Sequence, residues 1–94
     1  MATQTGRVDA IGGGVFLGCE NLSAIEFPKS LKIIGNRAFF GCSNLKEVTL
    51  PEGFEAIYDH AFADCKSLKE VTIPEYVEIG YRAFDDTLRK RRTL

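Results

Sequence analysis

The sequence lacks several features that would define other classes of protein. No apolar run approaches the roughly 20 residues that a membrane-spanning helix needs, so we expect no membrane insertion. The first residues, MATQTGRVDAI, lack the apolar core of a secretory signal, and the compartment stays open. There is one histidine, His60, and there are three cysteines. An odd number of cysteines without a signal argues against a disulfide framework.

The cysteines also fit no catalytic or metal site. They are separated by whole intervals of 23 residues, at Cys19, Cys42 and Cys65, and no close pair of the kind found in zinc sites is present. A nucleophilic cysteine needs a nearby base, and the inward residues Ala61 and Phe62 separate His60 from Cys65. We therefore predict buried thiols, no catalytic residue, no metal ligand and no cofactor.

Charge is unevenly distributed over the 94 residues. The formal net charge is −1, but residues 1–88 hold 8 basic and 13 acidic side chains, and the remaining 4 basic side chains form the run 89–92. A polybasic end suggests nucleic acid, anionic lipid or an import signal. Because no aromatic residues are interleaved with the cations, we favour a solvated tail and expect no nucleic-acid partner.

A 23-residue period is the strongest signal in the sequence. The stretch AFFGCSNLKEVTLP begins at Ala38, and AFADCKSLKEVTIP begins 23 residues later at Ala61. Apolar residues recur in register over roughly residues 8–86, with one residue missing between Val77 and Ile79. They form columns such as Leu22, Leu45 and Leu68; Ile11, Ile34, Ile57 and Ile79; and Phe16, Phe39, Phe62 and Phe84. One 23-residue unit cannot bury these side chains alone, so successive units must stack.

Each repeat contains a predicted strand that ends at a proline. In LKEVTLP, Val48 and Leu50 alternate with Glu47 and Thr49, which is the period of a half-buried strand, and proline cannot extend the ladder. A second extended segment is predicted on the opposite side, at 31–35 and 54–58. The stretch RAFFGCSNL from Arg37 predicts one or two helical turns.

These motifs resemble leucine-rich repeats of the bacterial-surface-protein-A-like (BspA-like) subclass. The match rests on L-x-x-[IV]-x-[LIF]-P at 22–28, 45–51 and 68–74, and on A-F-x-x-C-x-x-L at 38–45 and 61–68. The implied fold is an α/β repeat solenoid, a short right-handed stack of coils with a parallel β-sheet face and short helical turns. We place an N-terminal extension at 1–7, about four repeats of 22–23 residues at 8–86, and a basic tail at 87–94.

The resemblance implies binding rather than catalysis. It predicts a protein-protein interaction or adhesion module, extracellular or at the cell surface, that holds a protein partner on its exposed β-face. The residues expected on this candidate face are Glu26, Lys46, Glu47, Thr49, Lys69, Glu70 and Thr72. The alternatives left open are a structural repeat segment that self-associates through uncapped ends, a cysteine-dependent enzyme, and a tail-driven binder of nucleic acid or membrane.

Overall fold

Residues 9–84 wind into four stacked coils, as the 23-residue period predicts. The structure is a computed structural model that describes residues 9–84 and the backbone of residues 92–93. Numbered in chain order, coil 1 spans residues 9–30, coil 2 spans 31–53, coil 3 spans 54–76, and coil 4 begins at residue 77. Equivalent residues of successive coils are hydrogen-bonded neighbours in parallel sheets.

Two parallel sheets flank the core. The four-stranded sheet has the spatial order β1 (Ala10–Ile11), β2 (Ile33–Ile34), β4 (Ala56–Ile57) and β6 (Glu78–Ile79). The three-stranded sheet has the order β3 (Glu47–Thr49), β5 (Glu70–Ile73) and β7 (Arg92–Thr93). The predicted segments 31–35 and 54–58 thus supply β2 and β4, and the strands before the prolines supply β3 and β5.

The predicted helical turns are absent, and this part of the prediction was wrong. Among the described residues no helix is present, and the stretch from Arg37 forms a chain of tight turns. N–H groups donate alternately to the next coil and to their own coil. Phe39 N–H donates to Ala61 O in the next coil at 2.7 Å, whereas Phe40 N–H donates to Arg37 O in the same coil at 3.2 Å. A helix would use every N–H group within its own coil, so the bonds between coils replace it.

Left-handed backbone conformations explain why no helix forms. Arg37 has a φ of 57°, and Gly41 has a φ of 77°, whereas a right-handed helix requires negative φ throughout. The same two positions recur with positive φ in coil 3, at His60 and Asp64. The tight turns are therefore a property of the repeat itself.

The core consists of the apolar columns that the period predicts. Leu31, Ile34, Phe39, Leu45 and Ile57 are almost completely buried. The four phenylalanines stack in one column, where Phe39 lies 5.0 Å from the half-buried Phe16 and Phe62 lies 5.3 Å from Phe84, as measured between ring centroids. Each ring therefore covers the ring of the neighbouring coil.

The expected boundaries of the repeat region fall outside the described residues. This applies to the junction of 1–7 with 8–86 and to the junction at residue 87. Within the predicted tail 87–94, the backbone of Arg92–Thr93 forms β7 and pairs in parallel with β5. The three-stranded sheet therefore takes its third strand from the tail segment.

Candidate functional site: an exposed β-face with a groove

The candidate face is the outer surface of β3 and β5. Val48 and Val71 point into the core and are buried, while Glu47 and Glu70 are exposed. The parallel register pairs Glu47 with Glu70 and Thr49 with Thr72. The repeat therefore places a row of carboxylates beside a row of threonines. Lys46 and Lys69, one residue before each strand, are exposed as well.

The carboxylates of this face are not neutralised within the described part of the chain. Glu47 and Glu70 form no ion pair there, although a lysine, Lys46 or Lys69, directly precedes each of them in the sequence. Neighbouring parallel strands lie about 4.8 Å apart, and like charges placed directly opposite each other destabilise a sheet. Among the described side chains, the Glu47 and Glu70 carboxylates therefore remain available for ion pairs with a cationic partner.

A groove of about 840 Å³ opens between coil 1 and β3. Ile25, Phe27 and Leu50 contribute its apolar lining, and Glu26, Glu47 and Thr49 also line it. Three residues expected on the candidate face, Glu26, Glu47 and Thr49, thus border one concavity. Thr72, Lys69 and Glu70 do not line it.

The splayed start of the three-stranded sheet creates this groove. The stretch 22–28 predicts a strand in coil 1, but the structure shows only an isolated parallel bridge between Ala24 and Glu47. A signal was present in the sequence, because coil 1 has Ala24 and Glu26 where coils 2 and 3 have glutamate and threonine. The difference at Glu26 matters most, because glutamate favours strands less than threonine does, whereas alanine and glutamate are both depleted in strands. The apolar pattern of the repeat does not reveal this difference, because Ile25 and Phe27 preserve it.

The cysteine column is built as a packing column. Cys42 and Cys65 are buried, Cys19 is half-buried, and none of the three forms a disulfide within the described residues. The Cys42 thiol donates to Phe16 O at 3.2 Å, and the Cys65 thiol donates to Phe39 O at 3.1 Å. Burial raises the pKa of the Cys42 thiol; a backbone hydrogen bond from Cys19 acts in the opposite direction, and the charge of Cys19 adds a smaller rise. A raised pKa lowers the thiolate fraction and hence the reactivity.

His60 lies at a turn beside aromatic and charged neighbours. Its ring meets the edge of Tyr81 with centroids 5.7 Å apart, and its buried Nδ1 has no hydrogen-bond partner. Asp59 Oδ1 accepts the Tyr81 N–H at 2.9 Å, and Arg82 Nε donates to Tyr81 Oη at 3.2 Å. These contacts hold the turn around the imidazole.

The described residues offer neither a metal site nor a membrane-spanning helix. Within residues 9–84, no three His, Cys, Asp or Glu side chains converge where an ion would bind. The part of the chain that the structure describes also has no helix long and apolar enough to cross a membrane. The side chains of residues 89–92 lie outside the described part of the structure. The solvated tail and its alternatives, which are binding to nucleic acid or anionic lipid and an import signal, therefore stay predictions.

The fold and its face define a leucine-rich-repeat solenoid, and comparisons with known proteins agree. Residues 3–92 match the model of the BspA type leucine rich repeat region, with six copies. The chain therefore belongs to the BspA-type leucine-rich repeat family. Leucine-rich repeat architecture is consistent with a protein-interaction module, and proteins of this kind are generally non-catalytic.

Two solved structures resemble this chain. One is the leucine-rich repeat protein TpLRR of T. pallidum, with 31% identity and a TM-score of 0.81 over 92% of this chain and 45% of that one. The other is a leucine-rich repeat protein from Bacteroides ovatus ATCC 8483, with 26% identity and a TM-score of 0.80 over 90% and 28%. The chain thus spans less than half of either structure. No curated protein matches it.

Proposed function

We propose that this chain is a non-catalytic module that binds a basic protein partner on the candidate face. The observation that carries the proposal is the in-register pair Glu47 and Glu70, which is exposed and has no cationic neighbour in ion-pair contact within the described residues. Two glutamates directly opposite each other on adjacent strands repel and lower the stability of the sheet. A partner that supplies lysine or arginine recovers it, and it also gains charge-assisted hydrogen bonds.

Charge reversal with a matched control tests the face. The immobilised chain is probed with an array of synthetic peptides of graded net charge, and the double variant Glu47→Lys/Glu70→Lys is compared with Glu55→Lys/Glu78→Lys. Glu55 and Glu78 form a similar acidic pair in coils 3 and 4, on the opposite side of the stack, where Glu78 N–H donates to Glu55 O at 2.9 Å. Both variants change the net charge equally.

We expect cationic peptides to bind the native chain and the Glu55/Glu78 control variant. The Glu47/Glu70 variant should no longer bind these peptides. Binding should weaken as salt is raised, because exposed charges are screened within about 8 Å at physiological ionic strength. Equal loss in both variants would mean attraction to net charge alone, and equal retention would mean that the face is not used. Adhesion at a cell surface is the setting that we propose for this binding.

Self-association is a second candidate, and it has its own observation. Val15 and Leu17 of coil 1 are 59% and 53% exposed, and Ile79 of coil 4 is 39% exposed. Apolar side chains on the first and last described coils favour contact between copies. Light scattering of the chain between about 1 and 100 μM, a range that brackets weak association constants, tests this candidate. A constant monomer mass over that range rules it out.

A further inference from the structure

The outer edge of strand β3 is open at its Thr49 end. On one side the strand pairs with β5 over three residues. On the other side its first residue meets coil 1 at the bridge between Ala24 and Glu47, and Lys46 N–H, one residue earlier, donates to Ser23 O at 3.2 Å. The next step of that ladder would pair Glu26 with Thr49, by analogy with the pair Thr49 and Thr72, and among the described residues it is not formed.

The backbone of Thr49 faces this gap. Between coils 2 and 3, Leu50 N–H donates to Thr72 O at 3.0 Å, so Thr72 turns its carbonyl toward β3. The period places Thr49 O in the same way toward coil 1, where Phe27 N–H would be the equivalent donor, and that bond is not made in the described structure. Strand edges with unpaired backbone groups are where extended segments add.

The groove beneath this edge suits an alternating side-chain pattern. Ile25, Phe27 and Leu50 supply apolar lining, whereas Glu26 and Glu47 are exposed and make no ion pair within the described residues. Successive side chains of an added strand would point alternately inward and outward. The inward ones meet the apolar lining and the outward ones meet the two carboxylates. The cation that lines the groove, Lys29, belongs to the turn after Pro28.

We propose that the groove accepts an extended segment of a partner protein as an extra strand on β3, with apolar and basic side chains in alternation. The added strand bonds to the backbone of Thr49 and directs its basic side chains to Glu26 and Glu47. This inference rests on the proposed function, since the groove forms one edge of the candidate face. Beyond that function, the inference specifies that the partner segment is extended and that its apolar and basic side chains alternate.

A labelled peptide, acetyl-Lys-Val-Lys-Val-Lys-Val-amide, tests the geometry by fluorescence anisotropy. A peptide with glutamate in place of lysine tests the charge. Two N-methylated versions, methylated on alternate residues, test strand addition because only one set of N–H groups faces β3. Losing one or more backbone hydrogen bonds should weaken binding by about tenfold, so the two methylated peptides should differ by that factor.

Protein variants locate the peptide. The double variant Glu26→Lys/Glu47→Lys should bind the lysine peptide about tenfold more weakly or worse, because both charge-assisted contacts become repulsive. Glu55→Lys/Glu78→Lys, on the far side of the stack, should leave the affinity within about twofold, which is the effect of remote surface charge. Circular dichroism confirms that both variants are folded.

Three results overturn the proposal: no binding of the lysine peptide, equal binding of the two N-methylated peptides, or equal loss in both charge variants. Its failure is distinguishable from failure of the proposed function. If binding of array peptides still depends on Glu47 and Glu70 while the lysine peptide does not bind, the proposed function is supported and only strand addition in the groove is refuted. If the peptide binds as described but the array yields no ligand, the groove stands without the wider face.

Discussion

The rings of Phe39 and Phe62 lie parallel within 5°, with their centroids 5.0 Å apart. These residues are 23 positions apart in the sequence, so the stacked pair is direct evidence of the step between coils. Phe39 also contacts Phe16 on its other face and the edge of Phe27 at 5.9 Å. The phenylalanine column therefore ties all four coils to one another.

The column predicts a graded response to truncation. Phe39→Ala should lower the free energy of unfolding by about 3–5 kcal/mol, because a completely buried ring is replaced by a cavity. Phe84→Ala should cost less, because Phe84 is only half-buried. Urea unfolding followed by circular dichroism measures both values. Equal losses at the two positions would contradict the view that coils 2 and 3 form the stable centre.

The cysteine column predicts an order of thiol reactivity. Native chain treated with iodoacetamide should be alkylated first at Cys19, which is half-buried, and much later at Cys42 and Cys65, which are buried and donate to backbone carbonyls. Burial removes access and disfavours the reactive thiolate. Peptide mass mapping at timed intervals gives the order. Fast labelling of Cys65 would return a cysteine-dependent activity to consideration.

The raised pKa of Cys42 also predicts a loss of stability at alkaline pH. Its pKa in the folded chain lies above the ordinary value of 9.0 because burial disfavours the thiolate. The stabilisation is complete below the unfolded value, and it is lost as the pH rises through the folded value, because the unfolded chain then ionises more readily. The urea concentration at the unfolding midpoint should decrease as the pH is raised from about 8 to about 10.5, a range that covers the titration of a thiol. It should fall less in Cys42→Ala, which controls for lysine and tyrosine titration.

The charged row predicts a stabilising substitution on the candidate face. Glu70→Lys places opposite charges at the register pair with Glu47, and cross-strand pairs of this kind contribute about 0.2–1 kcal/mol. Glu70→Gln removes the repulsion without adding an attraction, so its effect should be smaller. Thermal unfolding at low salt ranks the three chains. If glutamate is the most stable residue at position 70, the carboxylates do not repel, and the charge argument for a basic partner loses its basis.

The sequence predicted whatever depends on the repeat and missed what depends on departures from it. Columns such as Phe39 and Phe62 follow from the period alone, because identical positions must stack. The tight turns were taken for helix, since the left-handed conformation of Arg37 is set by bonds between coils and not by its own preference. The groove was missed because Ile25 and Phe27 preserve the apolar pattern of a strand while Glu26 does not pair with Thr49.

Tyr76 supplies the last prediction, because it occupies a backbone position that suits glycine. Its φ is 65°, and the equivalent residue of the preceding repeat is Gly53, with a φ of 87°. A bulky residue in the left-handed region costs roughly 1–2 kcal/mol. The side chain recovers none of this by packing within the described structure, because Tyr76 is 94% exposed.

Tyr76→Gly should therefore raise the free energy of unfolding by about 0.5–1 kcal/mol, which is the strain removed less the entropy that glycine adds to the unfolded chain. Tyr76→Ala separates backbone from side chain, because alanine keeps the strain and removes the ring. If the backbone accounts for the cost, alanine should be no more stable than tyrosine, and only glycine should gain. A loss of stability in both variants would show that the exposed ring has a stabilising contact, and the turn would then not be a strained copy of the one at Gly53.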